Sequence, residues 1–229
     1  MAEEYLTDDE QMEAVKHWFT EYAPWLIGGV LVGAAVFFGN QYFHKYTNDR
    51  GLKAAAEFSA MTAALQTNDH EKSRRIAEGL IKDYANSPYA DQAQLTLARL
   101  DVDENHLDKA IAPLTQVMND SKDAELRQIA RLRLARVLTD QGKSEEAVKL
   151  LADPIPAAFA APYHEVRGDA YLAKKDIAHA VTEYQQALAA ADAGGISASL
   201  LELKLQDLGA MPAPNLSSVS VDTLKKAKP

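Results

Sequence analysis

The chain has 229 residues, of which 47% are apolar and 25% charged, with no cysteine and a formal net charge of −9. This length allows one or two domains with a real hydrophobic core, and the ordinary apolar and charged fractions exclude global disorder. The acidic balance argues against nucleic acid as a partner, because phosphate binding needs a basic field. The lack of cysteine excludes disulfides, thiolate metal sites and cysteine nucleophiles.

The N-terminal segment 1–21 is acidic, with seven carboxylates against the single cation Lys16. Thr7 and Glu10 have the spacing of a capping box, so a short helix is expected to begin there. Its apolar residues recur at helical spacing and form one stripe: Met12, Val15, Phe19 and Tyr22. The stripe predicts a short amphipathic helix, either solvated beside lipid headgroups or docked on a partner at the membrane.

Segment 22–43 contains 22 residues without a charge. A helix of that length spans about 33 Å, enough for a hydrocarbon core of roughly 30 Å. A buried helix of a soluble protein rarely runs so long without a charge, and a cleaved signal peptide has a basic start and a shorter apolar core. The pattern therefore predicts an uncleaved transmembrane helix, in which Gly29 and Gly33 mark a candidate face for packing against another helix.

The cations that flank this segment predict its orientation. Lys16 precedes it, whereas Lys45, Arg50 and Lys53 follow it closely. Lysine and arginine accumulate on the cytoplasmic side of membrane segments. The count by itself favours a cytoplasmic location for everything after the segment.

Small residues recur along the rest of the chain, which is helical in pattern without alternating strand runs. Four alanines stand 33, 37 and 33 residues apart, close to the 34-residue period of a repeated helix pair. They are Ala77, Ala110, Ala147 and Ala180. Twelve residues before the last three stand Ala98, Ala135 and Gly168. Small side chains let the two helices of a hairpin approach closely, so these seven residues are predicted packing positions.

The expected fold is all-α, with an N-terminal transmembrane helix followed by a solenoid of helical hairpins that resembles the tetratricopeptide repeat. The repeat domain is predicted to span 44–209, closed by a terminal helix over 197–208. The remaining segment, 210–229, mixes Pro, Ser and Lys without periodicity, which is typical of a disordered tail.

The first helices of such hairpins line a concave surface that commonly binds peptides. Arg99 and Arg136 occupy equivalent places there, one residue after the small residue of each unit, and Leu95 and Leu132 correspond one turn earlier. Together these four residues are candidates for partner binding through apolar contact and charge-assisted hydrogen bonds. The alternative is that both arginines are solvated or pair with acids of the same chain.

No catalytic, cofactor or metal motif is found in the sequence. The six histidines form no HExxH and no His-x-x-x-His pair, and phosphate-binding loops and a nucleophile elbow are absent. We therefore predict a protein that is not an enzyme and that has no catalytic residue, cofactor or metal site.

Three features together resemble the YfgM family: the head YLTDDEQMEAVKHWF (5–19), a single anchor, and a degenerate repeat domain that ends in LLELKLQDLGA (200–210). The resemblance implies an ancillary subunit of the SecYEG translocon in the bacterial inner membrane. It implies a cytoplasmic N-terminus and a periplasmic repeat domain, opposite to the charge count. It also implies association with the chaperone PpiD and a role with newly exported proteins, which are possible direct clients.

Two other functions use the same architecture. One is a scaffold of another inner-membrane assembly, and the other is a cytoplasm-facing adaptor, as the charge count favours. They differ from the first in the dominant partner and in the side of the membrane on which the repeats lie.

Overall fold

The computed structural model describes residues 8–152, 154–191 and 198–210, and over these residues the protein is helical without a strand. The all-α prediction is confirmed for these ranges. The helices are α1 (Asp8–Gln66), α2 (His70–Asp83), α3 (Pro88–Asp103), α4 (Leu107–Asp120), α5 (Ala124–Asp140), α6 (Ser144–Leu150), α7 (Ala160–Ala173), α8 (Ile177–Ala189) and α9 (Ala198–Asp207). A short 3-10 turn, Ala157–Phe159, precedes α7.

The chain divides into two compact units, Met1–Ala56 and Glu57–Pro229. Helix α1 runs without a break from Asp8 through the predicted amphipathic and membrane segments and on to Gln66. Residues 44–66 contain no proline and are rich in alanine and other helix formers, so nothing there ends the helix. The predicted cap residue Thr7 lies outside the described residues.

Among the described residues, no helix is both long enough and apolar enough to span a membrane. The predicted membrane segment 22–43 lies within α1. The structure does not describe the side chains of five residues in this segment, Ala23, Pro24, Leu26, Ile27 and Val30.

The second unit is a series of helical hairpins. The end of α1 with α2, α3 with α4, α5 with α6, and α7 with α8 are each joined by a turn of three residues. From α2 to α9 each helix packs on its neighbours in the chain, and the first helices α3, α5 and α7 also contact one another in sequence. This is the arrangement of a solenoid, in which each repeat touches only the adjacent ones.

The four turns share one backbone conformation. The middle residue of each has a positive φ between 57° and 78° and donates its N–H to the carbonyl three residues earlier, while the next N–H reaches the carbonyl five residues earlier. These two hydrogen bonds form the Schellman motif, which satisfies carbonyls at the end of a helix. The middle residues are Asn68, Asn105, Gly142 and Lys175.

The seven predicted packing residues are all buried. Ala77, Ala98, Ala110, Ala135, Ala147 and Ala180 are at most 2% exposed, and Gly168 is buried as well. Four of them, Ala98, Ala110, Ala135 and Ala147, belong to the main hydrophobic cluster, which also includes Leu114, Leu134, Val166 and Tyr163. Ala180 belongs to the cluster formed by α8 and α9.

Helix α9 closes the series. Its Leu201 and Leu205 are buried against Ala180, Tyr184 and Ala187 of α8. The predicted closing helix over 197–208 thus corresponds to α9. Residues 211–229 of the predicted tail lie outside the described residues, as does Ser197.

Candidate partner-binding surface

A groove of about 380 Å³ lies where α3, α4 and α5 meet. Its apolar floor is formed by Ala98, Val102, Leu114 and Val137. Its charged lining consists of Arg99, Arg133, Arg136 and Asp140. We call this site the arginine groove, because three guanidinium groups and one carboxylate surround its floor.

The two arginines predicted from the sequence both line this groove and both pair with acids of the same chain. The Nε of Arg99 lies 3.5 Å from Oδ2 of Asp103, one helical turn along α3, and both side chains are exposed. The Nη2 of Arg136 donates to Oε2 of Glu165 on α7 over 3.1 Å. Glu165 also accepts a hydrogen bond from the ammonium of Lys204. The structure therefore has the alternative that the sequence left open, in which both arginines pair with acids of the same chain.

Sequence reasoning missed the third arginine. Within the part of the chain that the structure describes, no carboxylate pairs with Arg133. Although the residue is exposed as a whole, the protein around its guanidinium removes water, and this desolvation together with the positive charges of Arg99 and Arg136 lowers the pKa of Arg133. The side chain stays charged at neutral pH, because the guanidinium of arginine is not deprotonated in proteins. The signal in the sequence was its position three residues before Arg136, on the same helix face.

The two leucines do not belong to this surface, which corrects the prediction. Leu95 is 6% and Leu132 is 5% exposed, and both lie in the main hydrophobic cluster. They turn inward because α3 and α5 are each packed between neighbouring hairpins, so a position one turn from an exposed arginine is covered by the next helix. The corresponding position of the fourth hairpin, 33 residues after Leu132, is Glu165.

One group of side chains has the composition of a metal site. Ligand atoms of Asp101, Glu104 and His106 lie within 4.8 Å of one another. The guanidinium of Arg74 already donates to both carboxylates, at 2.8 Å to Asp101 and 3.0 Å to Glu104. The hydrogen bond from Arg74 lowers the pKa of Glu104. These contacts join α2 to α3 as an ion-pair network in which arginine supplies the cation.

The two glycines predicted to pack against another membrane helix lie on α1. A Cβ added to Gly29 or Gly33 would meet no heavy atom within 4 Å. Their packing role stays a prediction.

Comparison with known proteins identifies the family. The model of the tetratricopeptide repeat-like domain matches residues 16–210. An ancillary SecYEG translocon subunit of Escherichia coli (strain K12) is 32% identical over 172 residues, which cover 75% of this chain and 82% of that protein. A protein of the same name from Neisseria gonorrhoeae is 28% identical over 206 residues, covering 89% of this chain and 98% of its own. The chain therefore belongs to the YfgM family of ancillary SecYEG translocon subunits, whose repeat domain is tetratricopeptide-like.

Proposed function

We propose that this chain associates with the SecYEG translocon as a non-enzymatic interaction subunit, held in the inner membrane by one helix. The observation that carries the proposal is that relatives named as ancillary SecYEG translocon subunits match the chain over most of their own length. The fold supports it, because hairpin solenoids present extended surfaces to other proteins. The described lining of the arginine groove offers cations and apolar contact but no hydroxyl or thiol nucleophile.

The proposed anchor is segment 22–43. Its support is the 22-residue stretch without charge together with the exposure of its large apolar side chains, of which Trp25 is 81% exposed. Water-soluble surfaces rarely carry so large a contiguous apolar patch, whereas lipid covers it at no cost. Among the described side chains of the segment, the other exposed large apolar ones are Tyr22, Leu31, Val32, Val36, Phe37, Phe38, Tyr42 and Phe43.

The proposed topology has segment 1–21 in the cytoplasm and the repeat domain in the periplasm. There the repeats would meet newly exported proteins and a PpiD-like chaperone. This orientation rests on the family resemblance. The charge count, one lysine before the segment against three cations after it, instead favours a cytoplasm-facing adaptor.

A pair of fusions tests the topology. Alkaline phosphatase, which is active only outside the cytoplasm, is joined after Pro229, and a fluorescent protein that matures in the cytoplasm is joined at the same place. We expect active phosphatase and a dark fluorescent fusion. The reverse pattern would refute the periplasmic location and favour the adaptor.

Co-purification from the same cells tests the partner. The affinity-tagged full chain, extracted in mild detergent, is expected to retain SecY, SecE and SecG. The matched control carries an unrelated transmembrane helix in place of residues 22–43, which keeps the repeats at the membrane. Absence of SecYEG from the wild-type sample would refute the proposed association.

A further inference from the structure

We propose that the arginine groove is a docking site for an acidic peptide segment of a partner protein, with a carboxylate of that segment bound by Arg133. The inference rests on the proposed function in one respect, that the repeat domain is an interaction module. It goes further by fixing the place of binding and the chemistry of the partner.

The balance of charge in the groove points to an anion. Three guanidinium groups and one carboxylate, that of Asp140, line the groove, and the acids that pair with Arg99 and Arg136, Asp103 and Glu165, lie outside the lining. The pair of Arg133 and Arg136 stands three residues apart on one face of α5, and Arg99 faces them from α3. Like charges at this spacing repel one another, so a bound carboxylate would relieve the repulsion. Guanidinium is also the side chain best suited to bind a carboxylate with two parallel hydrogen bonds.

The three arginines differ in how freely they can bind. Arg136 donates to Glu165 on α7, and Glu165 also accepts a hydrogen bond from Lys204. The guanidinium of Arg136 is therefore fixed in position, and it acts on a ligand through its positive charge. Arg99 is held only by Asp103, in an exposed pair that contributes little to stability and exchanges readily with another carboxylate. Arg133 has no carboxylate partner among the described residues. It is therefore the anchor of the site, with Arg99 as the second contact.

The floor explains why the ligand is a peptide rather than a free small anion. Val102 is half-buried, and Leu114 and Val137 are almost covered, so the floor offers shallow apolar contact beside the charges. A segment in which acidic residues alternate with small apolar residues would satisfy both parts of the groove. Polyanionic nucleic acid fits poorly, because the chain as a whole carries a net charge of −9.

Fluorescence anisotropy of the full-length protein in detergent micelles tests this site. The probe is a labelled synthetic dodecapeptide of alternating glutamate and alanine, compared with peptides in which every glutamate is glutamine or lysine. We expect the glutamate peptide to bind at least about ten-fold more tightly than the glutamine peptide, and to weaken as salt is added, because charge-assisted hydrogen bonds supply the difference. The lysine peptide is expected not to bind.

Three variants locate the binding. Arg133→Gln is expected to weaken binding of the glutamate peptide roughly ten-fold, and Arg133→Lys to weaken it less, because lysine keeps the charge and loses the two-pronged geometry. Arg75→Gln is the matched control, since Arg75 is an exposed arginine of α2 that does not line the groove. Circular dichroism verifies that each variant is folded.

Equal affinity for the glutamate and glutamine peptides would overturn the proposal, and so would equal effects of the Arg133→Gln and Arg75→Gln changes. Co-purification with SecYEG separates this failure from failure of the proposed function. If SecYEG is retained but the acidic peptide does not bind, the docking site is refuted and the translocon association stands. If the peptide binds through Arg133 and SecYEG is not retained, the docking site stands and the translocon association is refuted.

Discussion

At the scale of single residues, α7 and α8 approach each other closely at Gly168. A Cβ built there would lie 2.5 Å from Cε1 and 2.7 Å from Cδ1 of Tyr184. The ring cannot move aside, because Tyr184 is fully buried and its hydroxyl donates to Asp169 over 2.7 Å. Burial, followed by this hydrogen bond, raises the pKa of Tyr184 and keeps the hydroxyl neutral. Glycine is therefore required here for space, within a helix where alanine is normally preferred.

We predict that Gly168→Ala lowers the free energy of unfolding by about 1–2 kcal/mol, since overpacking costs more than the helix gains from alanine. Gly79→Ala is the matched control, because a Cβ at Gly79 in α2 meets no heavy atom within 4 Å. The control is expected to gain about 0.5–1 kcal/mol. Urea unfolding of the full chain, followed by circular dichroism, measures both. A stabilised Gly168→Ala protein would show that α7 and α8 can separate freely.

At the scale of elements, the repeated unit is defined by its turn as much as by its helices. The left-handed residue occurs at equivalent places in four turns, yet only Gly142 is a glycine, while Asn68, Asn105 and Lys175 are not. Asparagine tolerates this conformation, whereas the Cβ of lysine makes it sterically unfavourable. The turn between α7 and α8 is therefore the most strained of the four, with a φ of 64° at Lys175.

We predict that Lys175→Gly stabilises the protein by roughly 0.5–1 kcal/mol, and that Gly142→Ala destabilises it by about 1 kcal/mol, because each change alters the same steric cost in opposite directions. Lys174→Gly serves as the control, since Lys174 has an ordinary φ of −77° in the same turn and glycine brings no relief there. Thermal unfolding of the three variants checks the order. A destabilised Lys175→Gly protein would refute the claim of strain.

At the scale of the whole molecule, contacts between helices are local along the chain. From α2 onward, helices pack on neighbours or on the next first helix of the series. A solenoid of this kind has a stability that is close to a sum over repeats and their interfaces, so damage at one end stays near that end. Helix α9 covers the last apolar surface through Leu201 and Leu205.

We predict that Leu201→Ala costs about 2–4 kcal/mol, and that the loss is felt in α7, α8 and α9 rather than in α2 and α3. Hydrogen exchange followed by mass spectrometry resolves the difference by region. Leu203→Ala on the same helix is the control, because that side chain is 56% exposed. Uniformly faster exchange throughout the repeats would show instead that the domain unfolds as one cooperative unit.

Much of the fold could be predicted from the sequence alone, because the patterns that indicate it are local. A small residue every 33–37 positions and a polar turn after each first helix are properties of short segments. The continuity of α1 was not predicted because an apolar stretch and a helix need not end together, and no described residue from Asp8 to Gln66 interrupts the helix. The burial of Leu95 and Leu132 was not predicted, because it depends on which helices pack against α3 and α5.

By its own pattern the sequence determined the all-α fold of the described residues, the small residues that are buried in it and an uncharged stretch long enough for a bilayer. It also indicated Arg99 and Arg136 as surface cations, since their spacing matches the repeat. Only the tertiary structure decided that Arg133 lines the same groove and that Leu95 and Leu132 are buried in the core. The reason is physical: a helix has a periodicity that sequence reveals, but its rotation between two neighbours is fixed by packing across residues far apart in the chain.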